Sequence, residues 1–188
     1  MNETYMHYTE ESNALDYFER AAQFIREAST DNQAWKWVIF ALHGALYGFA
    51  ICACKGTNYE NVTTKTKWGL RLISFSEALA ACQDPQRMQM TVLSKPLSLT
   101  NDQRAAITHL QHALRNPFEH YIPLSWHVEL HGMPEIAIHC IQVIRFLALD
   151  TRNYTMLAEG QYARIDSLAA ETIAFLRTTP LHLENNAT

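Results

Sequence analysis

Apolar side chains recur along most of this chain at the three- and four-residue spacing of helices with one buried face. Leu15, Phe18, Ala22 and Ile25 form such a stripe, with Asp16, Glu19, Arg20 and Arg26 off it, which predicts a helix over roughly residues 10–28. Thr30 precedes Gln33 by three positions, a capping-box spacing that predicts a second helix opening at about residue 31. That helix runs through Trp35 to Cys54, with Gly56 as its stop. Residues 55–67 read as a polar loop. Leu70, Ile73 and Leu79–Cys82 predict a third helix that ends before Asp84-Pro85. Val92, Leu93, Leu97 and Leu99, around Pro96, read as extended chain of edge-strand type.

Thr100 and Gln103 repeat the capping-box spacing ahead of a fourth helix, whose stripe is Ala106, Ile107, Leu110 and Leu114. Pro117 is expected to end or kink it, because the ring clashes with the carbonyl of Ala113. Residues 124–131 then alternate, Leu124, Trp126, Val128 and Leu130 against Ser125, His127, Glu129 and His131, which predicts a short strand with one buried face. Pro134 opens a fifth helix after Gly132. Ile136, Ile138, Cys140, Ile141, Val143, Ile144, Phe146 and Leu147 make that helix apolar nearly all round, so it is expected to be the central, most buried element. A sixth helix carries Tyr162, Ile165, Leu168, Ala169, Ile173 and Leu176 and stops before Pro180. The pattern predicts an all-α fold of about five to six helices, with a short extended or β insertion around residues 91–131. One domain is expected over residues 1–188, with its helical core at about 10–178.

Composition narrows this picture. Six glycines and six prolines in 188 residues leave few turns, which favours long helices over a many-stranded fold. With 48% hydrophobic residues the chain can bury a core, and disorder is excluded. A net charge of −4 excludes a generally basic nucleic-acid coat but leaves room for a local patch. The most basic stretch is Lys55, Lys65, Lys67 and Arg71. Trp37–Cys54 is 18 residues without a formal charge and contains Gly44-Ala-Leu-Tyr-Gly48. Such a run just reaches the length of a membrane span. His43 in its middle and the lack of a second apolar run favour a central bundle helix with small residues for close approach, so no membrane association is expected. The start, Met1-Asn-Glu-Thr-Tyr-Met-His, has no secretory pattern, and Cys52, Cys54, Cys82 and Cys140 form no C-x-x-C pair. They read as reduced, buried thiols of a cytoplasmic protein. Trp35, Trp37, Trp68 and Trp126 read as core anchors rather than base-stacking platforms.

Nucleotide-binding glycine loops and the G-x-S-x-G elbow are absent. Histidine is abundant, with nine in all and five between positions 109 and 131. His109 and His112 share a helix face, and His127, Glu129 and His131 would share one side of a strand. This is the outline of a metal protein, but no fourth ligand is fixed, and no cofactor is expected. The strongest cluster is Arg115-Asn116-Pro117-Phe118-Glu119-His120-Tyr121. On an unbroken helix Arg115 and His120 would point about 140° apart, and a break at Pro117 would let them converge. A guanidinium forks onto phosphate oxygens, and an imidazole exchanges protons near neutral pH. With an RNA 2′-hydroxyl as nucleophile, that pair is a minimal kit for phosphodiester cleavage. The plainer alternative is a cation pair at a helix C-terminus, with Arg115 held by Glu119.

Arg115-Asn116, three further residues, His120 and Tyr121 resemble the signature of the HEPN (higher eukaryotes and prokaryotes nucleotide-binding) superfamily of helical bundles. The capped helix before the motif and the apolar helix after it are similar too. The resemblance implies metal-independent RNA cleavage in a toxin or defence setting. Arg115 would stabilise the phosphate, His120 would transfer protons, Asn116 would orient the site and Tyr121 would support it. It also implies a homodimer with the site where two subunits meet, RNA as ligand and an antitoxin-like protein partner. Glu119 departs from what a phosphate site needs, and many superfamily members bind without cleaving, so enzyme and binding protein both stay open. The alternative from another class is a noncatalytic interaction or oligomerisation module, built on the small-residue helix Ala41–Ala53 and the apolar fifth helix.

Overall fold

The computed structural model describes residues 4–121, 123, 125–153 and 157–185. The fold is mostly helical, with one small antiparallel sheet. Helix α1 (Glu10–Glu27) starts at Thr9, whose hydroxyl accepts the Ser12 N–H at 3.1 Å while Ser12 Oγ accepts the Thr9 N–H at 2.8 Å. Its apolar stripe, Ala14, Leu15, Phe18, Ala22 and Ile25, is buried as the spacing predicts.

Helix α2 (Ala34–Lys55) lies along α1 and ends at Gly56, which adopts φ 57°. The predicted cap at Thr30 is not formed. Thr30 instead donates back to the Glu27 carbonyl at 3.1 Å, and Asp31 Oδ1 receives the Gln33 N–H at 2.9 Å, so the chain turns before α2 begins. Gly44 and Gly48 face α1. A Cβ at Gly48 would lie 2.7 Å from Ala14 Cβ, and one at Gly44 would lie 2.5 Å from the Tyr17 ring. Close helix approach therefore accounts for the two glycines. Among the described residues, α2 is the one helix long and apolar enough to cross a membrane, and most of that run is packed inside the fold.

The β insertion lies earlier than expected. Strand β1 (Thr63–Thr66) pairs antiparallel with β2 (Gly69–Leu72), with Thr63 opposite Leu72 and Thr66 opposite Gly69. The β-branched residues from Val62 to Thr66 favour extended chain, which a search for helical spacing passes over. Leu70 therefore sits on a strand. Helix α3 (Phe75–Gln83) starts only at the Ser74–Glu77 capping box, and Arg71 reaches Glu77 at 2.8 and 2.9 Å. The one-turn helix α4 (Pro85–Met88) follows.

Among the described residues of 91–131 no strand forms. Around Pro96 the backbone is tied by single bonds, Lys95 N–H to Thr151 O at 2.9 Å and Leu97 N–H to Cys82 O at 2.7 Å, rather than by a ladder. Residues 127–130 keep the predicted alternation, with Val128 and Leu130 packed on the core and His127 and Glu129 exposed, but Trp126, expected on the buried side, is exposed, and among the described residues no strand lies beside them. Leu124, which would open that strand, lies outside the described residues. Alternation reported extended chain against an apolar surface, not strand pairing.

The capped helix α5 (Asn101–Thr108) widens into π-helical turns over His109–Arg115 and closes as α6 (Asn116–Glu119). The Asn116 N–H reaches Gln111 O, five residues back. Pro117 thus neither ends nor breaks the helix. The wide turn before it resets the hydrogen-bond register and makes room for the Pro117 ring, so the helix runs on through it.

Helix α7 (Met133–Arg145), with Pro134 in its first turn, continues as π turns over Phe146–Asp150. Helices α8 (Gln161–Arg177) and α9 (Pro180–Asn185) complete the bundle, and Pro180 both follows one helix and opens the next. Arg145 ties α7 to α8 through Asp166 at 2.7 Å. The expectation that the fifth predicted helix, α7, would be most central is corrected. Helix α2 holds that place, packing on α1, α3 and α7. One hydrophobic core runs through the bundle, and all four cysteines are buried with free thiols.

Candidate functional site

Arg115 is the last residue of the π-helical segment and lines a groove of about 640 Å³ between α1, α2, Phe75 and its own helix. The guanidinium is half-buried. It forms an ion pair with Glu119, one turn along the same helix, and donates from Nη1 to Asn116 Oδ1 at 3.1 Å. Asn116 therefore holds the Arg115 side chain, in the manner of an orienting residue. Glu10, at the groove's far end, is bonded to Lys55, which holds its carboxyl below the usual carboxylate range.

The residue that sequence spacing missed is His43. It projects from the middle of α2 into the lining of the same groove, 9% exposed, with its ring 4.6 Å from that of Phe75. Among the described residues its Nε2 has no hydrogen-bond partner. Burial, and secondarily the Arg115 charge, push its pKa down to about 4, with Glu119 acting the other way. The sequence signal was present. It is a lone histidine in a helical run without formal charge, directly before a glycine that brings another helix close.

The neutral imidazole has a pH signature. The unfolded chain takes up a proton near pH 6.5 and the folded chain only near pH 4. Stability from this group is therefore complete above about pH 6.5 and falls as pH drops from there to about 4, by up to about 3 kcal/mol. Urea unfolding at a series of pH values should show that loss, and His43→Gln should flatten it. An unchanged pH slope in the variant would assign the loss to other groups.

His120 does not join Arg115 in this groove. The helix is continuous between them, so the expected convergence at Pro117 within one chain is not seen. His120 is exposed just past the end of α6, its N–H bonded to Asn116 O at 3.0 Å. Tyr121 follows, exposed and with φ 47°, a left-handed backbone that bulky residues rarely adopt. The structure thus assembles Arg115, Asn116, Glu119 and His43, and leaves His120 and Tyr121 on an open surface.

His109 and His112 share a shallow groove beside Arg104. His131 reaches Glu129 at 4.0 Å and Glu184 at 3.6 Å. Among the described residues no three His, Cys, Asp or Glu side chains gather as metal ligands.

The tryptophans are redistributed relative to expectation. Trp35 is buried, but Trp37, on the outward face of α2, Trp68, in the hairpin turn, and Trp126, at the start of the 125–130 segment, are exposed. Comparison with protein-family models, curated proteins and solved structures gave no match to this chain.

Proposed function

We propose that this chain is an RNA-binding helical bundle of HEPN-like type, with Arg115 as the phosphate-contacting group. The observation that carries the proposal is the placement of Arg115. A half-buried, Asn116-held guanidinium faces an open groove, with a single carboxylate from its own helix as counter-charge. π-helical turns of the kind that set Arg115 there occur disproportionately at functional sites. Within one chain His120 lies outside the groove, so cleavage requires a second copy to bring its His120 to the first copy's Arg115. A homodimer with two such composite sites follows. Cleavage would need no metal: the 2′-oxygen bonds to phosphorus as His120 takes its proton, the P–O5′ bond breaks, the leaving 5′-oxygen receives the proton back from the imidazolium, and a 2′,3′-cyclic phosphate remains, with Arg115 stabilising the phosphorane charge. A cytoplasmic setting and an antitoxin-like partner belong to the same proposal.

A noncatalytic interaction module is the second reading, favoured by the exposed apolar face of the hairpin at Trp68, Leu70 and Leu72. Incubation with single-stranded RNA in chelator separates the two. The wild type should cleave, and Arg115→Ala and His120→Ala should each lose about 100-fold or more. Mixing the two inactive variants should restore part of the activity through mixed dimers. RNA bound but left intact removes the nuclease, and RNA neither bound nor cleaved removes the whole RNA reading.

A further inference from the structure

A second groove, of about 440 Å³, lies beside the motif helix, between the start of α2 and residues 125–130. Its walls include Lys36, Phe118, Trp126 and His127, and its size suits a single small ligand. Phe118, inside the Arg115–His120 motif, meets Trp126 edge-on at 5.4 Å between ring centres. The aromatic series continues across the surface, Phe118 to Phe40 at 6.4 Å, Phe40 to Trp37 at 6.3 Å and Trp37 to Phe24 at 6.4 Å. Trp126 is 41% and Trp37 51% exposed, a heavy cost for rings that serve only packing. The Lys36 ammonium lies 5.0 Å from the Trp37 ring centre and 5.7 Å from that of Phe118. Trp35, on the inner wall, keeps a buried indole N–H without a partner among the described residues. Phe40 lines the Arg115 groove as well as touching Phe118, so the two grooves share a wall.

We propose that this second groove is a nucleobase subsite for single-stranded RNA, in which a base stacks on Trp126 with Phe118 at its edge and its phosphate meets Lys36. The proposal rests on the RNA reading above and deepens it. Stacking platforms next to a lone cation take any base, because every base offers a π face, and the backbone charge supplies the rest. An apolar peptide would use the rings but leave Lys36 without an anionic partner. A base whose phosphate lies at Lys36 places the strand alongside Phe118, three residues after Arg115, so that the chain can run on to the guanidinium.

The test uses 5′-labelled U10 and A10 RNA with 2′-O-methyl groups, which removes the attacking hydroxyl, read by fluorescence anisotropy, and adenosine 5′-monophosphate, read by quenching of tryptophan fluorescence. Trp126→Ala should weaken binding of both oligomers by about tenfold or more, while Trp126→Phe keeps most of it. Lys36→Ala should weaken both alike and lower the salt slope by about one. Circular dichroism confirms that the variants are folded. Oligomer binding that survives Trp126→Ala but is lost in Arg115→Ala overturns the base subsite and leaves the RNA reading intact. If neither oligomer binds the wild type, the RNA reading falls. The RNA subsite falls with it: nucleotide quenching lost in Trp126→Ala would then mark the groove as a mononucleotide site, and absent quenching would remove base binding there altogether.

Discussion

Gly48→Leu is expected to destabilise the fold by about 3 kcal/mol or more, the cost of forcing extra carbons into a packed interface. At Gly48 the first added carbon would already lie 2.7 Å from Ala14 Cβ and 3.1 Å from Ala14 Cα. The second of these is backbone, so α1 as a whole must move away. That separation would open the interface lined by Phe18, Ala21, Leu42 and Ala45, all buried. Leucine's better helix propensity offsets only about 1 kcal/mol. Against a typical total of about 5–15 kcal/mol, such a loss is a large share of stability. Gly132→Ala, whose added carbon would meet nothing within 4 Å, should shift the unfolding midpoint little. Equal stability of Gly48→Leu and the wild type would mean that the two helices do not approach as described.

Glu119→Gln is expected to tighten RNA binding by about tenfold, the opposite of what loss of a structural ion pair would do. The Glu119 carboxylate occupies the guanidinium edge that a phosphate would use, and at a half-exposed pair its own contribution to stability is small, at most about 1 kcal/mol. Removing it frees Arg115 and takes one negative charge from a groove facing a polyanion. Glutamine keeps nearly the same shape, so thermal unfolding should change little. Arg115→Ala in the same series should lose binding, and the double variant should bind as weakly as Arg115→Ala alone. Weaker binding by Glu119→Gln would show that Glu119 positions Arg115 rather than masking it.

The helices with one buried face were legible from spacing, as α1, α5 and α8 show, and so were the Thr100–Gln103 cap and the stop at Gly56. The hairpin was not. Leu70 and Ile73 mimic a helical stripe that runs on into Leu79–Cys82, and helical spacing does not reveal that Leu70 stays exposed on a strand. The centre of the bundle was assigned to α7 because its apolar residues surround it. Helix α2 is more central because its glycines admit α1 on one side while larger residues meet α3 and α7, a matter of packing partners rather than composition. At the site, Arg115, Asn116 and the opposing Glu119 were visible in one short motif. His43 lies 72 positions earlier and joins them only through the packing of α2, so neither motif spacing nor periodicity could place it.

The wide turns before Arg115 carry a consequence for sequence change. A π turn takes up one residue more than an α turn, and each residue turns a helix by about 100°. A one-residue deletion within His109–Arg115 would let the segment relax to an ordinary α-helix. Leu114, Arg115 and Phe118 would then keep the faces they now occupy, since the deletion removes the one residue that the wide turn absorbs. A further one-residue insertion would instead rotate them together by about 100°, swinging the guanidinium away from the groove and a core leucine toward water. The motif's function is thus bound to the length of the segment before it, and an insertion there should be tolerated far less than a single deletion.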